Sequence, residues 1–140
     1  VEYCSTVWDP QTKQQASTIE KIQRRAARWV TGRYHNTSSV SNMIDELGWR
    51  SLAQRRADSR LIMLFKIKNN LVNISHLNYF QLHRNGAQII PIHYRTLYYG
   101  LSFFPRTIAD WNRLPPSLVS SQTLGSFRSG VICQTHVIPY

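Results

Sequence analysis

Residues 17–33, STIEKIQRRAARWVTGR, constrain the fold more than any other stretch, because they read as one complete amphipathic helix. Ser17 with Glu20 three residues on has the form of a capping box, in which each side chain satisfies a backbone donor that the helix start leaves unpaired. Gly32 supplies the stop, since it can take the left-handed conformation after the last turn. At about 100° per residue, Ile19, Ile22, Ala26, Trp29 and Val30 fall on one side, and Lys21, Arg24, Arg25 and Arg28 fall together on another. The first face asks for a core. The second asks for water or phosphate.

Charge sharpens that choice. Seventeen Lys and Arg oppose seven Asp and Glu, a net charge of +10, and twelve of those basic residues lie between Lys13 and Lys68 against four acidic ones, Glu20, Asp45, Glu46 and Asp58. Such an imbalance costs self-repulsion that a polyanion relieves, so nucleic acid is the first partner to consider and an anionic membrane surface the second. Aliphatic and aromatic residues make up 42% of the 140, enough for a globular chain of one domain, or one domain with an appendage. Cys4 and Cys133 lie near opposite ends without CxxC spacing, which reads as two free thiols in a reducing compartment. No apolar run approaches the ~18 residues of a membrane span, and no signal-peptide pattern is present, so no membrane partner is expected. A sequence that begins with Val reads as a piece of a longer chain.

Residues 1–8 read as the last turns of a helix entering from upstream, with Val1, Cys4 and Trp8 on one side and Pro10 ending it, and residues 9–16 as a polar connector. After a loop at 34–38, Ser39 caps a short helix whose Val40, Met43, Ile44 and Leu47 keep i, i+3, i+4, i+7 spacing, and Gly48 ends it. Ser51 and Gln54 open the longest helix, from Leu52 to about Asn69. Arg55, Arg56 and Arg60 stand among small residues in its first half. Its second half, residues 61–67, is apolar nearly all round and belongs in a core. Asn69-Asn70 closes it with a left-handed cap.

Beyond Leu71 the helical pattern weakens. Residues 75–82 can hold a short helix, Asn85-Gly86 marks a turn, and 95–99 can form a short strand or an extended packed segment. Phe103 opens a helix with Pro105 in its first turn that Pro115-Pro116 ends, and a last short helix follows Thr123, with Leu124, Phe127 and Val131 on one face. The expected fold is mainly α: a small helical bundle, an irregular segment that can include a short strand, and two short C-terminal helices. The division is expected at about residue 75, with residues 1–75 a bundle whose first helix is truncated and residues 76–140 an irregular segment packed on it.

Catalytic and metal chemistry find no foothold in the pattern. Two-metal catalysis needs clustered carboxylates, and the only acidic neighbours, Asp45 and Glu46, point to different faces of a short helix. Cys133 and His136 have a spacing two ligands can use, but no second pair completes a site. His35, His76, His83 and His93 lack partners at motif spacing. Phe103, Phe104, Trp111, Tyr98 and Tyr99 read as core in preference to a base-stacking platform, because Ile108, Trp111 and Leu114 keep helical spacing. The candidate site is therefore basic: Lys21, Arg24, Arg25 and Arg28 on the first long helix, with Arg55 and Arg56 on the second, as nucleic-acid contacts, and no catalytic residue, metal ligand or cofactor.

The strings EYCSTVWDP at 2–10, IEKIQRRAAR at 19–28, ELGW at 46–49 and SFFPRTI at 102–108, followed by Trp111-Asn112 and Leu114-Pro115, resemble in this order the region after the palm of LINE-type, non-LTR retrotransposon reverse transcriptases. The resemblance implies a parent RNA-directed DNA polymerase with endonuclease, fingers and palm upstream, of which this segment is the thumb and the region just downstream of the thumb. It implies RNA and DNA, as template–primer duplex, and the upstream palm and fingers as partners, and an intracellular, nuclear place of action. The family's metal-binding aspartates follow an aromatic residue in the palm, whereas Tyr98-Tyr99 here precede Gly100-Leu101, so no catalytic role carries over. Asn70 stands where relatives often have Gly, a tolerable departure for a cap. The competing readings are a structural or protein-docking module of the same parent enzyme and a decayed retroelement remnant.

Overall fold

The computed structural model describes residues 3–35 and 37–134. Among them the fold is mainly α: helices α1 (Ser5–Trp8), α2 (Lys13–Thr31), α3 (Val40–Glu46), α4 (Leu52–Lys68), α5 (Leu97–Gly100), α6 (Phe103–Trp111), α7 (Pro116–Val119) and α8 (Leu124–Gln134), with a 3-10 turn at His76–Asn78. The extended pairing among the described residues is one antiparallel bridge, Leu82 to Ile89. No helix among them is long and apolar enough to cross a membrane. The chain divides into two compact units, Val1–Arg56 and Ala57–Tyr140. The boundary falls inside α4 and not near residue 75, because the apolar half of α4 is the centre of the second unit's own core.

In the first unit α2 starts earlier than its sequence suggests. Thr12 is the cap, its Oγ1 accepting from Gln15 N at 3.2 Å, so Ser17 and Glu20 lie inside the helix and form no capping box. The polar connector shrinks accordingly. Gly32, at φ 65°, ends α2 as expected. Cys4 takes φ 52°, a left-handed residue before a single helical turn, so residues 5–8 do not continue a helix through Cys4. Val1 and Glu2, assigned to that helix, lie outside the described residues. Ser39 caps α3, its Oγ accepting from Asn42 N at 3.4 Å.

The second unit packs Leu61, Leu64, Phe65 and Ile67 of α4 against Ile108 and Trp111 of α6, Leu118 and Val119 of α7, and Phe127 and Val131 of α8. Phe65 stacks on Phe127 at 4.4 Å between ring centroids. Asn70 caps α4 with φ 53°, and Leu71 N reaches back to Lys66 O at 2.8 Å, closing the helix in a Schellman-type arrangement. Asn85-Gly86 makes its turn, with Gly86 at φ 64° and Asn85 Oδ1 accepting from Ala87 N. The segment expected as a strand at 95–99 instead contributes the single turn α5, capped by Thr96 Oγ1 accepting from Tyr99 N.

The aromatic group read as core divides. Trp111 is fully buried and Phe103 and Phe104 are half-buried, but Tyr98 is 80% exposed and Tyr99 half so. Periodicity extends only over α6, and the two tyrosines precede it on α5.

Candidate nucleic-acid interface

Helix α2 has three faces. The one turned into the first unit is not the apolar one. Gln23 and Ala27 are buried, while Ile22, Trp29 and Val30 are exposed by 49, 77 and 56%. At about 100° per residue, Glu20, Gln23, Ala27 and Thr31 form a stripe of their own. Each member has a use there. Glu20 Oε1 accepts from Ala53 N at 2.7 Å and Oε2 from Leu52 N at 3.3 Å, satisfying the first amides of α4. Gln23 Nε2 donates to Arg50 O at 3.0 Å. Ala27 packs with Val40 and Met43 of α3, and Thr31 Oγ1 donates to Ala27 O at 2.8 Å. A stripe of this kind has no apolar periodicity. Its sequence trace is the small Ala27 amid side chains long enough to reach neighbouring backbone.

The basic face is where the sequence places it. Lys21, Arg24, Arg25 and Arg28 are all exposed and line, with Val40, one shallow concavity of about 220 Å³. None of the four has a carboxylate partner among the described residues. Glu20 is the only acid in α2, and its carboxylate is turned toward the start of α4. The four cations thus repel one another, a cost that a bound anion would relieve.

The other candidates separate. Arg55 is exposed on the first turn of α4 and lies outside the residues lining the concavity. Arg56 is turned inward. Its Nε donates to Asp9 Oδ1 at 2.9 Å with both side chains almost fully buried, so it is removed from the set of phosphate contacts. Burial places it as an internal counter-ion, a role that its neighbours in sequence do not signal. In the second unit Arg60 is likewise buried, its Nη2 donating to Asp110 Oδ2 at 3.1 Å. Lys68 Nζ sits 5.3 Å from the centroid of the Trp111 ring, and burial lowers its pKa from the ordinary lysine value.

The acidic pair is also accounted for. Glu46 receives Arg33 Nη1 on both carboxylate oxygens, at 2.9 and 3.1 Å, on the surface, and Asp45 is exposed. Cys133 is exposed at the end of α8, and His136 lies outside the described residues. No group of three or more His, Cys, Asp or Glu with metal-site geometry occurs among the described residues.

No protein-family model, no curated protein and no solved structure matches the chain.

Proposed function

We propose that the chain binds nucleic acid through its phosphate backbone, without catalysing a reaction itself, and that Lys21, Arg24, Arg25 and Arg28 of α2 are the contacts. The supporting observation is that four exposed cations share one concavity while the only carboxylate of their helix is engaged elsewhere. Anion-free, such a cluster costs repulsion; with phosphates seated on it, the repulsion becomes attraction and condensed counterions are released. The resemblance of the ordered strings extends the reading. On it, the chain is part of a LINE-type retrotransposon reverse transcriptase, an RNA-directed DNA polymerase acting in the nucleus, and the ligand is the template–primer duplex presented by the upstream palm and fingers.

Duplex titrations over a range of salt test the proposal. About four phosphate contacts imply a slope of log affinity on log salt near −3 to −4. Replacing Arg24, Arg25 and Arg28 together by Gln should weaken binding to every sequence alike and flatten the slope by about 2 to 3 units. Salt-independent binding, or a triple variant indistinguishable from the parent chain, overturns the assignment.

A further inference from the structure

Of the four tryptophans, three are engaged. Trp111 is fully buried, Trp49 packs against the Ala27–Val40–Met43 cluster, and Trp8 donates its indole N–H to Tyr3 O at 2.6 Å. Trp29 is different: its side chain is the most exposed of the four, and it has no ring or hydrogen-bond partner among the described residues. An indole offers one of the largest burial gains of any side chain, so leaving it in water forgoes that gain unless something stacks on it.

Its place on α2 says what. The apolar face of α2 is centred on the half-buried Ile19 and Ala26 with the exposed Val30, and Trp29 lies at the exposed edge of that face next to the basic stripe. Arg25 is four residues before it, a spacing that sets Cβ atoms roughly 5–6 Å apart on a helix surface, whereas Arg28, the preceding residue, points about 100° away into the rest of the basic stripe. A flat ring bordered by the Arg25 guanidinium, which has no carboxylate partner among the described residues, at the edge of a stripe of further cations, matches a strand whose backbone runs over the cations and whose base is free to leave its stack. A continuous duplex offers no such base, since its base faces are already stacked.

We infer that Trp29 stacks an unpaired base of a strand whose phosphates lie on Arg25 and Arg28, so that the preferred ligand of α2 is a duplex with a single-stranded extension. The inference rests on the phosphate-binding reading of the stripe and adds the class of nucleic acid.

The test compares a blunt DNA duplex with the same duplex carrying a single-stranded extension, using the full chain and the variants Trp29→Leu and Trp29→Phe. The position is exposed, so both variants keep the fold, which far-UV circular dichroism verifies. Trp29→Leu should weaken binding of the extended duplex by about 5- to 150-fold, the range for losing one stacked base, and leave the blunt duplex unchanged. Trp29→Phe should recover much of that loss, and the extension should quench tryptophan emission in the parent chain but not in Trp29→Leu. Equal losses on both duplexes overturn the inference, as does no loss on either while binding stays salt-dependent. The latter result leaves the stripe reading standing and gives the apolar face to a protein partner. A parent chain that binds neither duplex in a salt-dependent way removes the stripe reading, and this inference with it.

Discussion

Glu20 in the middle of α2 caps another helix: its Oε1 accepts a hydrogen bond from the amide of Ala53, at the start of α4, at 2.7 Å. The Oε2 atom takes the neighbouring Leu52 amide, so one carboxylate satisfies two of the four donors that a helix start leaves open and places a negative charge at the positive end of the helix. Glu20→Ala should therefore cost about 1 to 2 kcal/mol in denaturant melts, the range for losing a good cap. Ser17→Ala should change stability by no more than about 0.5 kcal/mol, because Ser17 sits exposed inside α2 and caps nothing. The opposite ranking would restore the capping box that the sequence suggests.

Two glycines of α8 give a paired comparison. A Cβ at Gly125 meets no described atom within 4 Å, so Gly125→Ala should stabilise by up to about 1 kcal/mol through helix propensity and a less flexible unfolded chain. A Cβ at Gly130 falls inside contact distance of Leu118 Cδ1, and Leu118, on α7, is itself buried in the core. The overpacking cost of about 1 to 3 kcal/mol should exceed the propensity gain, making Gly130→Ala net destabilising. Thermal melts of the two variants should move in opposite directions.

Asn112, at the end of α6, holds the buried Ile89 by both of its backbone groups. Its Oδ1 accepts from Ile89 N at 3.0 Å, and its Nδ2 donates to Ile89 O at 2.8 Å. Beside it, the Trp111 indole N–H donates to Ala87 O at 3.0 Å. The Trp-Asn dipeptide thus does for the 85–90 turn what a neighbouring strand would do in a sheet. Asn112→Leu keeps the side-chain size but leaves two backbone groups unpaired, and should cost about 2 to 4 kcal/mol. Hydrogen exchange should report it locally, with the Ile89 amide losing protection before the amides of α4.

The legible parts of the fold are those in which one local rule decides the outcome. The apolar half of α4, the Phe127 and Val131 face of α8, the Ser39 cap and the left-handed Gly32 and Asn70 all follow from periodicity or backbone sterics within a few residues. The inward face of α2 does not, because Glu20, Gln23 and Thr31 point inward to bind backbone groups, and Gln23 and Glu20 find theirs 27 to 33 residues away. An apolar moment on a helix shows which face prefers to leave water, and on α2 that face, with Ile22, Trp29 and Val30, remains exposed. The basic stripe was legible as a cluster because four cations within two turns share an arc whatever the rest of the helix does. Arg56 was not distinguishable from Arg55, since the difference between them is Asp9, 47 residues earlier in the chain.

That difference separates arginines that hold the fold from arginines free to meet a ligand. Arg56 and Asp9 are paired at 2.9 Å with side chains only 3 and 8% exposed, so removing Arg56 takes a counter-ion from a carboxylate held out of water. Arg56→Gln should cost about 3 to 5 kcal/mol, the penalty for breaking a buried pair. Adding Asp9→Asn should return part of it, because the buried carboxylate charge is then gone, and the double-mutant cycle should show coupling between the two positions. Arg24, Arg25 and Arg28, exposed and without carboxylate partners among the described residues, should each tolerate Gln within about 0.5 kcal/mol. Affinity for duplex should follow the reverse order, falling with the α2 substitutions and unchanged in the folded fraction of Arg56→Gln. A stable Arg56→Gln variant with weakened duplex binding would return Arg56 to the binding surface and show that its pairing with Asp9 opens in solution.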